Sequence, residues 1–199
     1  MTKNDSKQAT SGKVWAQELS LYHPNNTGTG AALALEPRVN RRPDDRFNCF
    51  FMTMAAQKTV AADDRIKTPA TFNWENKLTV KLGFADICEI LAVLEGKSEK
   101  VGGARNGLYH DNGQASAVIT FQRNTERGGY FVGLSRKDKN GGQLTRVSMA
   151  LSEAEALGLR HIFQAGLFFV TFHTHLFGGM SSDRDLGVPG RAAGGGESE

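Results

Sequence analysis

The sequence contains only two cysteines, Cys49 and Cys88, among its 199 residues. A small secreted domain that depends on disulfide bonds carries a denser set of cysteines, so this scarcity excludes a disulfide scaffold. We expect both thiols to be reduced and buried, which indicates a reducing compartment. Cys88 falls inside a largely apolar segment, where a thiol usually packs and does not react.

Long apolar runs are missing as well, since no stretch of about 18 consecutive apolar residues occurs. A transmembrane helix needs such a run, and a secretory signal needs a shorter apolar core that the opening MTKNDSKQATSGK does not have. The sequence therefore predicts a soluble protein with no membrane partner.

The sequence has neither a strong excess of one charge nor many prolines. Lysine and arginine number 24 against 21 acidic residues, which gives a formal charge of +3. That charge is compatible with a polyanionic partner but does not require one. Only 5 prolines accompany 23 glycines, a balance typical of short strands joined by many turns.

What the sequence does contain is a repeated order of strands and helices. Alternating apolar and polar residues predict four strands, at 14–22, 31–39, 47–56 and 77–82. An apolar stripe at helical spacing then begins after Gly83 and ends at Gly96. The same order returns with strands at 108–111, 116–123, 130–137 and 144–151, and with a second helix that Ser152 and Glu155 open as a capping box.

The two halves align without a gap around their helices. A shift of 69 positions places Leu82 on Leu151, Ile90 on Leu159 and Leu94 on Phe163, so we predict an internal duplication. Short hairpin loops make the strands antiparallel, which disfavours α/β nucleotide-binding folds, where a helix follows every strand. We therefore predict an α+β fold of duplicated ββββα units, with two antiparallel four-stranded sheets and two helices packing at one end.

One domain is expected from residue 13 to residue 177, with halves at about 13–97 and 105–177. A chain of this length can bury the core of such a domain. The polar residues 1–12 are expected to be disordered, and the glycine-, serine- and charge-rich residues 178–199 to form a flexible tail.

No motif of an enzyme or of a metal site is present. The segment GTGAAL (28–33) superficially resembles a phosphate-binding loop, but it lacks the third glycine and the Lys-Ser/Thr pair. It is interpreted as the start of a strand or as a polymer contact. His173 and His175, with His161, have no further ligands at suitable spacing. We predict a non-enzymatic protein without cofactor or metal, although one sequence leaves room for an unrecognised catalytic pair.

Basic and aromatic residues interleave on several predicted strands. Between residues 123 and 146 the chain has six basic residues against only Glu126 and Asp138. A single-stranded nucleic acid requires such a mixture, with cations for the phosphates and exposed rings for the bases. The alternative is that the aromatic residues belong to the core and the charges form a solvated face. The interleaved residues are Lys77, Lys81, Phe121, Arg123, Tyr130, Phe131, Arg136, Lys137 and Arg146.

Several separate stretches resemble the Whirly family of single-stranded DNA-binding proteins, over about residues 22–173. GTGAALALEPRV (28–39) resembles the family's Lys-Gly-Lys-Ala-Ala-Leu strand and the Glu-Pro-Arg that follows it, and FNWENK (72–77) resembles an aromatic-Asp-Trp segment. LTVKLGFADICEIL (78–91) is similar to the first passage from strand to helix, and LYHD (108–111) to a Phe-His-Asp run. SMALSEAEALGLRHIFQAGL (148–167) is similar to the last strand and helix.

The resemblance implies a Whirly-like fold and a homo-oligomer, a tetramer or higher, that assembles through the helices. It also implies single-stranded DNA binding with little sequence specificity, in replication, recombination or repair, with bases held between aromatic and apolar side chains. The residues assigned to this surface are Tyr22, Trp74 and Tyr109 for stacking, Lys77, Lys81, Arg123, Arg136 and Lys137 for phosphates, and Gly28, Thr29, Gly30, Ala31, Ala32 and Leu33 as a close-approach edge.

The sequence departs from the family at Gly28 and Gly30, which replace the two lysines of its motif. Phosphate contact or higher assembly by this strand is then weakened, and other cations must compensate. The organelle leader of the plant members is missing, which favours a bacterial or phage setting in the cytoplasm or nucleoid, unless a leader was removed. Relatives of this fold in kinetoplastid mitochondria bind guide RNA. An RNA-binding or annealing factor therefore stays open as an alternative, as does a protein-interaction scaffold.

Overall fold

The computed structural model describes residues 18–38, 48–62 and 67–172. The expected disordered N-terminus (1–12) and flexible tail (178–199) lie outside these residues, as do His173, His175 and the start of the strand predicted at 14–22.

The first sheet is antiparallel and contains the four strands that the sequence predicts. They are β1 (Leu19–His23), β2 (Ala31–Arg38), β3 (Cys49–Thr59) and β5 (Leu78–Leu82), in the spatial order β1-β2-β3-β5. A two-residue strand, β4 (Thr71–Phe72), pairs with the far end of β3 and brings the number of strands to five. It is held there because the hydroxyls of Thr59 and Thr71 hydrogen-bond at 2.8 Å and the Asn73 N–H donates to the Ala56 carbonyl at 2.8 Å.

The second sheet is a plain antiparallel meander of four strands. They are β6 (Leu108–Asp111), β7 (Ala115–Arg123), β8 (Tyr130–Asp138) and β9 (Thr145–Leu151), in the order β6-β7-β8-β9. Each lies within one residue of the predicted bounds at either end. Alternate residues such as Ile119, Val132 and Leu134 are buried, so one face of this sheet belongs to the core and the other faces solvent.

Two helices follow the sheets, and both begin where their caps predict. They are α1 (Phe84–Leu94) and α2 (Glu153–Phe172). The N–H of Gly83 donates to the carboxylate of Asp86 at 2.9 Å, which satisfies one unpaired group at the start of α1. At the start of α2 the Ser152 N–H donates to the Glu155 carboxylate at 2.8 Å, and the Glu155 N–H donates to the Ser152 hydroxyl at 3.2 Å. The predicted capping box is confirmed.

The two predicted repeat units contact each other at positions that are equivalent in sequence. Glu95 of the first half accepts a hydrogen bond of 3.1 Å from Gln164, which lies 69 positions further along the chain. The alignment of the two halves uses the same shift of 69 positions. Glu95 and Gln164 are therefore equivalent positions of the two halves, and equivalent positions contact each other when two units are related by a twofold axis.

The helix after each sheet is anchored to the edge strand of the other sheet. His110 of β6 contacts Asp86 of α1 at 3.0 Å, and His23 of β1 contacts Glu155 of α2 at 2.7 Å. These two equivalent contacts hold the halves together at the start of each helix.

The inner faces of both sheets and both helices share one hydrophobic core. Phe50 of β3 reaches α2, with ring centroids 5.8 Å from Phe163 and 6.3 Å from Phe169. Gly166 makes this approach possible, since a Cβ there would lie 2.5 Å from the Phe50 ring. The amide of the buried Asn48 donates to the Phe169 carbonyl at 3.0 Å, which adds a polar contact at the same junction. The predicted fold class is confirmed, with one short strand added.

Candidate nucleic-acid interface

The outer face of the first sheet carries a groove of about 320 Å³. Strand alternation explains which side chains reach it, because the opposite set of residues fills the core. The groove brings together Tyr22, Trp74 and Lys77, three of the residues assigned from the sequence. Its lining consists of Glu18, Tyr22, Ala34, Glu36, Thr53, Trp74 and Lys77.

An aromatic cluster forms one side of this groove. The Tyr22 ring lies 5.5 Å from the ring of Phe72 and 6.4 Å from that of Trp74, the second pair being edge to face. Tyr22 remains 52% exposed, so its ring is available to a further aromatic partner. Phe72 was not assigned from the sequence, since only the pairing of β4 with β3 brings it beside Tyr22.

A short 3-10 turn, Trp74–Asn76, places the indole and the neighbouring lysine at the groove. The Asn73 side chain caps this turn by accepting the Asn76 N–H at 3.3 Å. Lys77 follows in extended conformation and leads into β5. It is exposed and forms no ion pair with a described residue, so its ammonium group is available to a phosphate.

The prediction that residues 28–33 form an edge is wrong for residues 31–33, which lie in the interior strand β2. β2 is paired on both sides, with β1 and with β3, and Ala31, Ala32 and Leu33 are 1%, 0% and 2% exposed. These three residues therefore lie inside the sheet and not at its edge, and their contact with nucleic acid stays a prediction. Gly28 and Thr29 lie in the loop before β2, where their contact with nucleic acid stays a prediction.

The buried side chain of Gln57 holds that loop in place. Its oxygen accepts the N–H groups of Asn25 at 2.9 Å and Gly30 at 3.0 Å, and its nitrogen donates to the carbonyls of Asn25 at 2.9 Å and Thr59 at 3.0 Å. A Cβ at Gly30 would collide with the Gln57 oxygen and the His23 carbonyl. No side chain therefore fits at Gly30 while Gln57 holds the loop in this way.

The outer face of the second sheet presents rings and cations in cross-strand rows. Tyr109 pairs with Val118, which pairs with Ser135, which pairs with Arg146, so these four residues cross the sheet side by side. Tyr109 is 62% exposed, and Arg146 forms no ion pair with a described residue. The row places an exposed ring and an available guanidinium on one surface.

Lys137 and Phe131 lie on the same outer face, at opposite ends of β8. Phe131 is 41% exposed, and Gly133 between them has no room for a side chain, since a Cβ would lie 2.7 Å from the Thr120 hydroxyl. Lys137 forms no ion pair with a described residue. Lys139, by contrast, contacts Asp111 at 2.7 Å, and this contact raises the pKa of Lys139.

Phe131 and Arg146 are surface residues that were not among those assigned to the binding surface, although their alternation on the strands could have indicated them.

Two assigned arginines have partners inside the protein. Arg123 points to the core side of β7, where its guanidinium lies 5.6 Å from the centre of the Tyr130 ring and 3.4 Å from the Glu153 carboxylate. Arg136 contacts Asp138 at 3.0 Å. The neighbouring carboxylates partly neutralise both guanidinium groups. We therefore do not include Arg123 and Arg136 in the surface that Tyr109 and Arg146 form.

Lys81 lies on the outer face of β5, beside Phe51 and beyond the groove.

Burial raises the pKa of the Cys49 thiol, although the positive charges of Lys81 and Arg38 oppose this effect. Burial and the adjacent Glu89 raise the pKa of Cys88. Both thiols therefore stay protonated at neutral pH, which is unfavourable for a nucleophile.

The described part of the chain contains no group of three or more His, Cys, Asp and Glu side chains arranged to hold a metal ion. Within the same residues, neither helix has the length and apolar character needed to cross a bilayer.

Comparison with known proteins identifies the architecture. No family model and no curated protein sequence matches the chain. It is similar to WHY1 from Arabidopsis thaliana, with 17% identity, 77% of this chain and 84% of that chain covered, and a TM-score of 0.60. It is also similar to the plant transcriptional regulator PBF-2, with 17% identity, 78% and 82% coverage and a TM-score of 0.59. A guide-RNA-binding protein complex bound to a gRNA is similar with 19% identity, 79% and 93% coverage and a TM-score of 0.51. The chain therefore has the Whirly-like fold that these plant and guide-RNA-binding structures share.

Proposed function

We propose that this protein binds single-stranded DNA with little sequence specificity and has no catalytic role. The observation that carries the proposal is the groove on the first sheet, where Tyr22, Trp74 and the available ammonium of Lys77 line one surface. Every base has a face that stacks on an aromatic ring, and a lysine beside the ring neutralises the adjoining phosphate. Tyr109 and Arg146 repeat this combination on the second sheet.

A single strand suits these surfaces better than a duplex does. In a duplex the base faces are covered by neighbouring bases, whereas a single strand can turn them towards exposed rings. The outer faces of the two described sheets carry no helix that could enter the major groove of a duplex, because α1 and α2 both pack on the core. The fold is shared with a transcriptional regulator and with a complex bound to a gRNA, which supports a nucleic acid as the partner.

We further propose that the protein is a homo-oligomer, a tetramer or higher. The solvent side of α2 exposes Leu157, Phe168 and Phe172 by 49%, 63% and 64%, and Phe84 at the start of α1 is 52% exposed. The rings of Phe168 and Phe172 lie 4.9 Å apart and form a continuous apolar surface. Such a surface on a helix favours a second copy of the chain as its cover.

The proposal is tested by fluorescence anisotropy with labelled oligo-dT, a duplex and RNA of equal length, each across a salt series. We expect oligo-dT to bind more tightly than the duplex and its affinity to fall with salt, since phosphate contacts release counterions. Equal affinity for the duplex, or a salt slope near zero, contradicts the proposal. Absence of all binding at physiological salt favours a protein-interaction scaffold.

An RNA-binding or annealing factor is the second candidate, supported by the similar complex that holds a gRNA. Competition between RNA and DNA of the same sequence separates the two candidates, because the stacking surfaces are shared and the strands differ only in the 2′-hydroxyl and in the methyl group of thymine. Tighter binding of the RNA would assign the protein to RNA metabolism. Tighter binding of the DNA agrees with a role in replication, recombination or repair.

A further inference from the structure

The groove on the first sheet holds two carboxylates beside its aromatic rings and its lysine. Glu18 and Glu36 both line it, together with Tyr22, Trp74 and Lys77. Building on the proposed single-strand binding, we propose that this groove receives a nucleobase and favours bases that carry an exocyclic amino group over uracil and thymine. The surface would then bind any single strand while showing a bias at this one position.

The first step of the argument is the hydrogen-bonding capacity that the carboxylates leave open. No described residue donates a hydrogen bond to Glu36, which is half-buried, and Glu18 accepts only the Ser20 hydroxyl at 3.2 Å. An ionised carboxylate accepts hydrogen bonds and cannot donate them. The groove therefore offers acceptors to whatever enters it.

The second step is the choice between a phosphate and a base. A phosphate placed beside Glu18 and Glu36 would be repelled by two negative charges, and the single ammonium of Lys77 would offset only part of this repulsion. A base brings no charge, and its face can stack on the edge-to-face pair of Tyr22 and Trp74, whose centroids are 6.4 Å apart. The groove volume of about 320 Å³ accommodates a flat ring of this size.

The third step is the choice between bases. The amino groups of cytosine, adenine and guanine donate hydrogen bonds, and a carboxylate is the side-chain partner that cytosine N4 prefers. Uracil and thymine offer a carboxylate only the ring N3–H, which lies between two carbonyl oxygens that a carboxylate repels, whereas the amino group of cytosine has an acceptor on one side only. The ammonium of Lys77 remains available to the phosphate that adjoins the base, and it disfavours a cationic peptide side chain as the occupant.

Oligo-dC and oligo-dU of equal length are the matched probes, because they differ at the base edge and share the same backbone. Oligo-dT serves as the control for the extra methyl group. Anisotropy is measured with the full chain at constant salt, at a slightly alkaline pH where cytosine is uncharged. We expect oligo-dC to bind about three- to ten-fold more tightly than oligo-dU, as the net contribution of one hydrogen bond in an open, solvated groove allows.

The variant Glu36→Gln turns a pure acceptor into a group that also donates, so we expect the ratio of oligo-dC to oligo-dU affinity to fall towards one. Glu126→Gln, on the β7–β8 hairpin outside the groove, is the matched control and should keep the wild-type ratio while changing the net charge equally. The ratio, and not the absolute affinity, is diagnostic, since both changes reduce repulsion of the phosphates.

Equal affinity of the wild-type protein for oligo-dC and oligo-dU overturns the base preference and leaves the proposed single-strand binding intact. A ratio that Glu36→Gln does not change also overturns it, because the preference would then arise elsewhere. Failure to bind either oligonucleotide overturns the proposed function itself. A separate titration with an oligoarginine peptide, without oligonucleotide and in a Trp15→Phe variant so that Trp74 is the only tryptophan, tests the other occupant. Unchanged Trp74 fluorescence supports the base as occupant, and quenching of Trp74 would assign the groove to a cationic protein partner.

Discussion

Arg146 and Arg123 show, at the scale of single residues, how the partners of a cation decide its availability to phosphate. Arg146 stands on the outer face of β9 without an ion pair to a described residue, whereas Arg123 lies between Tyr130 and Glu153. We expect Arg146→Ala to lower the slope of log affinity against log salt for oligo-dT by about 0.7, the value for one phosphate contact on a single strand. Arg123→Ala should leave this slope unchanged. A salt series on both variants checks the prediction, and equal losses would place Arg123 at the interface after all.

Trp74 is the residue for which stacking should dominate over charge. It lies edge to face with Tyr22 at the groove and carries no charge that a phosphate could neutralise. We expect Trp74→Ala to weaken binding of single-stranded DNA by about 1–3 kcal/mol with an unchanged salt slope. Trp74→Phe is the control, since it keeps a stacking face and should retain most of the affinity. A loss of slope in Trp74→Ala would mean that the substitution displaces Lys77.

At the scale of the element, helix α2 contains two glycines with opposite surroundings. A Cβ at Gly158 meets nothing within 4 Å, whereas one at Gly166 would lie 2.5 Å from the Phe50 ring. Gly158→Ala should therefore stabilise the protein by about 0.5–1 kcal/mol through helix propensity. Gly166→Ala should destabilise it by about 1–3 kcal/mol, because Phe50 must leave its packed position. Denaturant unfolding at one fixed protein concentration measures both changes, and stabilisation by Gly166→Ala would contradict the close packing of Phe50 on Gly166.

The carboxyl of Glu155, in the first turn of α2, should make the free energy of unfolding depend on pH in the acid range. Burial opposes ionisation of Glu155, but hydrogen bonds from the Ser152 N–H, from His23 and from the Ser152 hydroxyl outweigh it and hold the pKa of Glu155 below its ordinary value of 4.5. A lowered pKa in the folded state stabilises the fold while the carboxyl is ionised. The contribution is therefore complete above pH 4.5 and is lost as the pH falls through the lowered value.

We expect Glu155→Gln to reduce the free energy of unfolding at neutral pH by about 0.3–1 kcal/mol, the range for a negative charge in the first turn of a helix, since glutamine can keep the hydrogen bonds of the capping box. The difference from wild type should shrink on acidification below pH 4.5, where the wild-type carboxyl also becomes neutral. Glu126→Gln, whose carboxylate accepts no hydrogen bond from a described residue, is the control and should show no such pH dependence. Thermal or urea unfolding across an acid series tests this, and a difference that stays constant with pH would exclude the ionised carboxyl of Glu155 as its source.

At the scale of the whole molecule, the apolar side of α2 should control assembly. Phe168 and Phe172 are exposed by 63% and 64% and lie on the helix that ends the described chain. We expect Phe168→Asp to shift the protein towards smaller assemblies, because the new charge must be buried in any interface that covers this side. Light scattering over a concentration series measures the mass. Leu144→Asp, which changes a residue 51% exposed outside the helices, is the control and should leave the mass unchanged.

Much of the architecture could be predicted because its causes are local. Alternation along β5 and β8 places successive side chains on opposite faces, and the Ser152–Glu155 capping box marks the start of α2 within four residues of sequence. The strand β4 was missed because its two residues form a strand only through pairing with the end of β3. The position of β2 was misjudged for a similar reason, since strand order depends on contacts between distant segments.

By itself, the sequence determined the duplicated order of strands and helices, their caps and the residues that alternate towards solvent, because these follow from interactions over a few positions. Only the tertiary structure decided which of those solvent-facing residues stand together. Long-range pairing gathers Tyr22, Trp74 and Lys77 around one groove, sets Tyr109 in a row with Arg146, and turns Arg123 towards Glu153. A binding surface is a property of neighbours in space, and residues far apart in the chain become neighbours only when the sheets form.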